Sequence, residues 1–151
     1  MKELTRQQII EETIQYYLVD QNPRGYNSYE CVYLGDKGEK CAVGRCLVDP
    51  TLLHGYIGNI FDMVRDNFEG EQRKFDLFLK PQYRGQSIRF WQELQVFHDI
   101  HMDTNPNGKN VLNEWEKGNI SKQISEDTFE LINKALKKST KFKQQTKLYI
   151  C

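Results

Sequence analysis

The segment from Ser87 to Gly108 restricts the fold more than any other. Phe90, Trp91, Leu94, Phe97 and His101 recur at helical spacing, and Val96 and Ile100 widen the apolar sector further. A helix that is apolar over so much of its circumference predicts a central, heavily buried position. Ser87 supplies a capping side chain at its start, and the run Asp103 to Gly108 stops it. Gln92, Gln95 and Asp99 form its narrow polar side. The rest of the chain is expected to gather around it.

The flanking segments are read the same way. Thr5 and Gln8 make a capping box, Leu4 and Ile9 occupy the staple positions, and Ile10, Ile14, Tyr17 and Leu18 continue a first helix that stops near Asn22 to Gly25. Tyr29 to Leu34 and Cys41 to Gly44 are two β-prone runs around a glycine-containing turn, which predicts a hairpin; a loop with an odd number of residues centred on Asp36 would set Cys31 opposite Cys41. In that reading Gly44 ends the second strand or admits another backbone closely. Ile57, Ile60, Phe61, Val64 and Phe68 predict a second helix, and Phe75 to Leu79 fits a strand or a helical turn equally. A short helix is expected through Leu112 and Trp115. A final helix starts at Ser125, with Glu126 and Asp127 in its first turn, and residues 147–151 alternate like an edge strand. The expected fold class is α+β, mostly α: helices around one small β-hairpin, with a short C-terminal strand, in a single domain over residues 1–151.

Charge and cysteine usage narrow the setting. Formal net charge is zero, yet Lys134, Lys137, Lys138, Lys141, Lys143 and Lys147 fall in a terminal stretch without Asp or Glu, leaving an acidic body before it. That end suits phosphates or an acidic surface, or simply complements the helix dipole. A polar start and the lack of any apolar run of about 20 residues predict a cytoplasmic protein with no membrane association. Four cysteines are too sparse for a disulfide scaffold and predict free thiols.

Four groups of residues offer chemistry. Cys31, Cys41, Cys46, His98 and His101 are zinc-ligand types, but the ten-residue step between the first two cysteines is not the paired spacing of structural zinc sites. The same residues suggest a metal- or thiol-dependent hydrolase in which His98 or His101 activates Cys46, the thiol next to Arg45. Asp103, Asn105, Asn107, Gly108 and Glu114 satisfy the spacing of an EF-hand calcium loop. Against it stand Pro106, Asn110 at an apolar position, and ordinary turn chemistry that explains the same residues. The fourth group is a surface of Tyr83, Arg84, Arg89 and Trp91 near the start of the central helix, where arginines and an aromatic face suit a nucleotide.

Cys31, Tyr33, Gly38 and the run Lys40 to Gly44, followed by Leu94, Gln95, His98 and Asp99, carry a resemblance. The pattern of a cysteine, an aromatic, a glycine turn, Lys-Cys-Ala-Ile/Val-Gly and then Leu-Gln-x-x-His-Asp is similar to that of a group of small bacteriophage proteins whose activity is not established. This chain departs from it in Arg45, inserted before Cys46, and in the aromatic-rich stretch 57–86. The resemblance implies a viral origin, a mostly helical fold and a structural His98 that ties the central helix to the hairpin backbone. Small soluble phage domains are often host-takeover or counter-defence factors. The reading carried forward is a binding protein that sequesters a nucleotide-like small molecule or blocks a host protein, through Arg45, Tyr83, Arg84, Arg89, Trp91, His98 and Asp99. No cofactor or nucleic-acid partner is expected, and the aromatic content is compatible with a homodimer.

Overall fold

A computed structural model describes residues 2–25 and 32–150, with side chains described as far as residue 139. The protein is mostly helical with one small antiparallel hairpin. Among the described residues five α-helices run in the order α1 (Arg6–Ile14), α2 (Ile60–Phe68), α3 (Gln72–Phe78), α4 (Ile88–Val96) and α5 (Glu126–Ile150), and strands β1 (Met102–Thr104) and β2 (Asn110–Leu112) lie between the last two. No described helix is long and apolar enough to cross a membrane.

The helix starts follow their local chemistry. At α1 both bonds of the Thr5/Gln8 capping box are made. Asn59 caps α2 and Ser87 caps α4 through side-chain oxygens. Both α1 and α4 then widen into a π-helical turn, Gln15–Val19 and Phe97–His101, and the two turns touch where the Tyr17 and His98 rings meet edge to face at 4.9 Å.

Helix α4 is the hub. Phe90, Trp91, Leu94 and Phe97 are fully buried, and a single cluster extends from Ile9, Ile10 and Ile14 of α1 across α4 to Ile132 and Ala135 of α5. Three of its polar side chains, Gln92, Glu93 and Gln95, also face protein, because each meets a backbone N–H that the local structure leaves unpaired. Gln92 accepts from the first N–H of α2, Ile60, at 2.7 Å. Gln95 accepts from the N–H of Val43 at 3.3 Å. Glu93, 4% exposed, accepts from Ser125 N–H at 2.7 Å and the Thr128 hydroxyl at 2.6 Å, placing a carboxylate at the positive end of α5.

Several expectations change position. Among the described residues the hairpin is formed by β1 and β2, with Met102 opposite Leu112 and Thr104 opposite Asn110, and residues 32–44 form no strand. In the earlier segment Leu34 and Lys40 form one antiparallel bridge around a turn that uses Gly38 at φ +83°, and Ala42 and Val43 then coil into the turn Gly44–Cys46. The coil places Gly44 against the Tyr33 carbonyl, which a Cβ would meet at 2.1 Å, so the close-approach reading of that glycine holds. Residues 29–31, including Cys31, lie outside the described residues. Ile57 precedes α2 and is exposed, as is Phe61, while Met63 takes a buried place on that helix. The segment at 75–79 ends a helix and then bridges Leu47 through Leu79. Leu112 ends β2, and residues 114–118 form a bend and turn in place of a short helix, with Glu114 and Gly118 at positive φ. Residues 147–150 continue α5 and are not a strand, in keeping with the helix-favouring Lys and Gln that precede them.

The capping carboxylate gives a direct test. Glu93→Ala leaves two buried donors unpaired and should destabilise the protein by about 2–4 kcal/mol. At this chain length that corresponds to a loss of roughly 5–15 °C in Tm, measured by calorimetry, whereas Glu93→Gln, which keeps an acceptor, should recover much of it.

Candidate functional site

Arg45 enters the turn after Cys41 and directs its side chain toward α1. The side chain is 10% exposed, and its guanidinium lies between the Tyr16 and Tyr83 rings, 5.6 Å from each centroid. Its Nη1 donates to Glu12 Oε1 at 3.1 Å and to the Tyr83 hydroxyl at 3.2 Å, and its Nη2 donates to Thr13 Oγ1 at 3.1 Å. Tyr83 in turn donates to Glu12 Oε1 at 2.6 Å, and its pKa is pushed up to about 12, first by burial and then by that carboxylate. The Arg45 Nε–H is buried and has no hydrogen-bond partner among the described residues.

Arg45, Glu12 and Tyr16 of this cluster line a cleft of about 610 Å³ between α1 and α5. Leu4, Tyr16 and Ala135 supply apolar wall, Glu11, Glu12 and Asp20 supply carboxylates, and Lys138 reaches across to Glu11 at 3.4 Å. The volume lies in the range of small-molecule sites, and the mixture of apolar wall and a few converging polar groups is typical of them. Glu12 and Tyr16 were not selected from the sequence. They are one helical turn apart, so both fall on the face of α1 beside the cleft, and the excess of polar and aromatic residues on that face was the available signal.

The other expected residues are dispersed. Trp91 is 0% exposed, packed edge-on against Phe75, Tyr83 and Phe90, so it offers no face to a ligand and the Tyr83–Arg84–Arg89–Trp91 surface does not form. Arg84 is anchored to the carbonyls of Leu79 and Leu77, and Arg89 is exposed beside two shallow hollows near the start of α4. Of the seven expected residues, Arg45 lines the cleft, and the buried Tyr83 supports it from behind through its hydroxyl.

His98 is completely buried. Its Nδ1–H donates to Asp99 Oδ1 at 2.7 Å, and its Nε2 has no partner among the described residues. Among the described residues Gln95 ties α4 to the earlier segment: its oxygen accepts from Val43 N–H, and its Nε2 donates to Asp99 Oδ1 at 2.8 Å. Gln95 lies one turn before Asp99, which lets its amide reach both partners, whereas the His98 ring turns toward Tyr17. His101 donates through Nδ1 to the Asn113 carbonyl and accepts at Nε2 from Ser121 N–H, so both its nitrogens are engaged.

Cys41 and Cys46 are free and fully buried. Burial pushes the Cys46 thiol up to about 11, despite Arg45 nearby, so it is held as a thiol and donates to the Ala42 carbonyl. Among the described residues no three His, Cys, Asp or Glu side chains converge on a metal position.

The EF-hand spacing belongs to the hairpin. Asn105 Oδ1 accepts from the N–H groups of Asn107 and Lys109, Gly108 takes φ +77°, and Glu114 bonds Asn119 and Lys117. Asn110, the residue that departs from the calcium pattern, donates to the Tyr17 and Asn22 carbonyls while its backbone N–H bonds Gln21. It joins the hairpin to the end of the first helix.

No known protein family, curated protein or solved structure matches the chain.

Burial lowers the His98 pKa from its ordinary value of 6.5, and the bond to Asp99 only partly offsets this. The unfolded chain therefore binds this proton more readily than the folded one. Stability from this source is complete above pH 6.5 and falls as the pH drops toward the lowered folded value. Urea unfolding between pH 7.5 and pH 5, as about the range over which histidine titrates, should show this decline, and His98→Gln should flatten it.

Proposed function

We propose that the chain is a binding protein that holds a small nucleotide-like ligand in the cleft between α1 and α5, without turnover. The observation that carries this reading is the buried Arg45 guanidinium at the cleft floor, with its Nε–H unused. An anionic oxygen could engage that edge after a small adjustment, joined by Lys138 from the rim. Glu11, Glu12 and Asp20 suit the hydrogen-bond donors of a base or sugar, and Tyr16 offers an aromatic edge.

The same lining limits the ligand's charge. Arg45 and Lys138 already face Glu12 and Glu11, and Asp20 adds a further negative charge, so a polyphosphate meets more repulsion than attraction. A ligand with one negative charge, such as a cyclic mononucleotide, fits best. Together with the resemblance to small phage proteins, this supports a role as a counter-defence or host-takeover factor that withdraws a signalling nucleotide. The hydrolase alternative draws no support from the buried Cys46 thiol or from two histidines bonded to other groups.

Titration calorimetry with cyclic adenosine monophosphate, adenosine monophosphate and adenosine triphosphate tests the reading. Affinity should fall in that order. Tyr16→Ala and Lys138→Ala should each weaken the cyclic nucleotide by about tenfold or more without loss of fold. Equal affinity for the triphosphate, or no heat with any of the three, would count against it.

A further inference from the structure

A second surface lies on the outer side of α3, away from the lining of the cleft. Leu47 and Leu79 form an antiparallel bridge whose side chains are buried, with Val48 N–H donating to the Phe78 carbonyl at 2.8 Å and Lys80 N–H to the Cys46 carbonyl at 2.9 Å. The residues beside the bridge turn outward. Val48 is 59% exposed, Leu77 67% and Phe78 38%, and Phe78 rests on Phe68 at 4.7 Å between ring centroids. Three large apolar side chains are thus presented together on a firmly packed base, an arrangement that marks interaction sites more often than isolated exposed residues do.

The rim of this patch carries three cations beside the carboxylates of Asp49 and Asp76. Arg73 precedes Leu77 by one helical turn, and Lys80 follows Phe78 by two residues. Arg84 donates through Nε to the Leu79 carbonyl at 3.1 Å and through Nη2 to the Leu77 carbonyl at 3.4 Å. None of the three makes a salt bridge among the described residues, although Asp76 lies near Arg84. The two carbonyl bonds fix the plane of the Arg84 guanidinium and leave its remaining N–H groups for an outside acceptor. A fixed guanidinium favours an ordered carboxylate over a fluid lipid headgroup.

The geometry points to a docking surface on Val48, Leu77 and Phe78 for a segment of another protein that carries apolar side chains flanked by Asp or Glu. Charge complementarity with Arg73, Lys80 and Arg84 identifies this partner chemistry. The surface is independent of the nucleotide cleft, so the two can fail separately.

Selection from a phage-displayed random-peptide library, followed by fluorescence anisotropy with the synthesised peptides, tests it. The expected winners carry aromatic or aliphatic residues next to carboxylates. Their binding should weaken by about tenfold or more with Leu77→Ser or Arg73→Glu, both exposed changes that leave Tm unchanged, and should be unaffected by Tyr16→Ala. Winners without carboxylates, or full binding to both α3 variants, would overturn the proposal. So would binding to phosphatidylserine vesicles, or self-association of the purified protein, that is lost in the same variants while no peptide is selected.

Discussion

The structure depends on the pairing of buried polar atoms along α4. A helix surrounded by protein can keep polar side chains only where other elements bring groups that need them. Gln92, Glu93 and Gln95 meet that condition within four consecutive residues, serving the start of α2, the start of α5 and the turn at Val43. The apolar stripe drives α4 inward, and these three acceptors determine which elements may settle against it and in what register. Hydrophobic burial alone is non-directional and could not specify this.

The parts of the fold legible in the sequence are those fixed by local chemistry. The Thr5/Gln8 box, the Ser87 cap and the start of α5 depend on neighbouring residues, and each lies where the pattern predicts. The hairpin was misplaced because β-propensity around Tyr33 and Cys41 is outweighed by contacts distant in sequence: Leu34 also bridges His54, and Val43 gives its N–H to Gln95. Residues 103–114 were ambiguous for a different reason. Calcium loops and tight hairpin turns use the same Asn and Gly chemistry, and the deciding residue, Asn110, bonds Tyr17 and Asn22, 93 and 88 positions away.

The same distinction applies to the site. Arg45 and Tyr83 could be proposed singly, but their junction with Glu12 spans 33 and 71 positions and no local pattern announces it. Trp91 failed as a ligand platform because a residue near a helix start can still lie on the helix's apolar side. Gln95 serves as the described tie to the earlier segment because its amide oxygen reaches Val43 while its Nε2 reaches Asp99 one turn on, whereas the His98 ring packs toward Tyr17.

The paired π-turns make the chain sensitive to length as well as to composition. Each holds one residue more than regular α-helical bonding would, and the surplus lets Tyr17 and His98 face one another while the following residues still reach Asn110 and Asn113. Removing a residue from either turn would rotate all that follows by about 100° relative to the helix before it. Point substitutions at exposed positions in residues 15–19 and 97–101 can be absorbed, but a deletion in either would separate the hairpin from both helices at once.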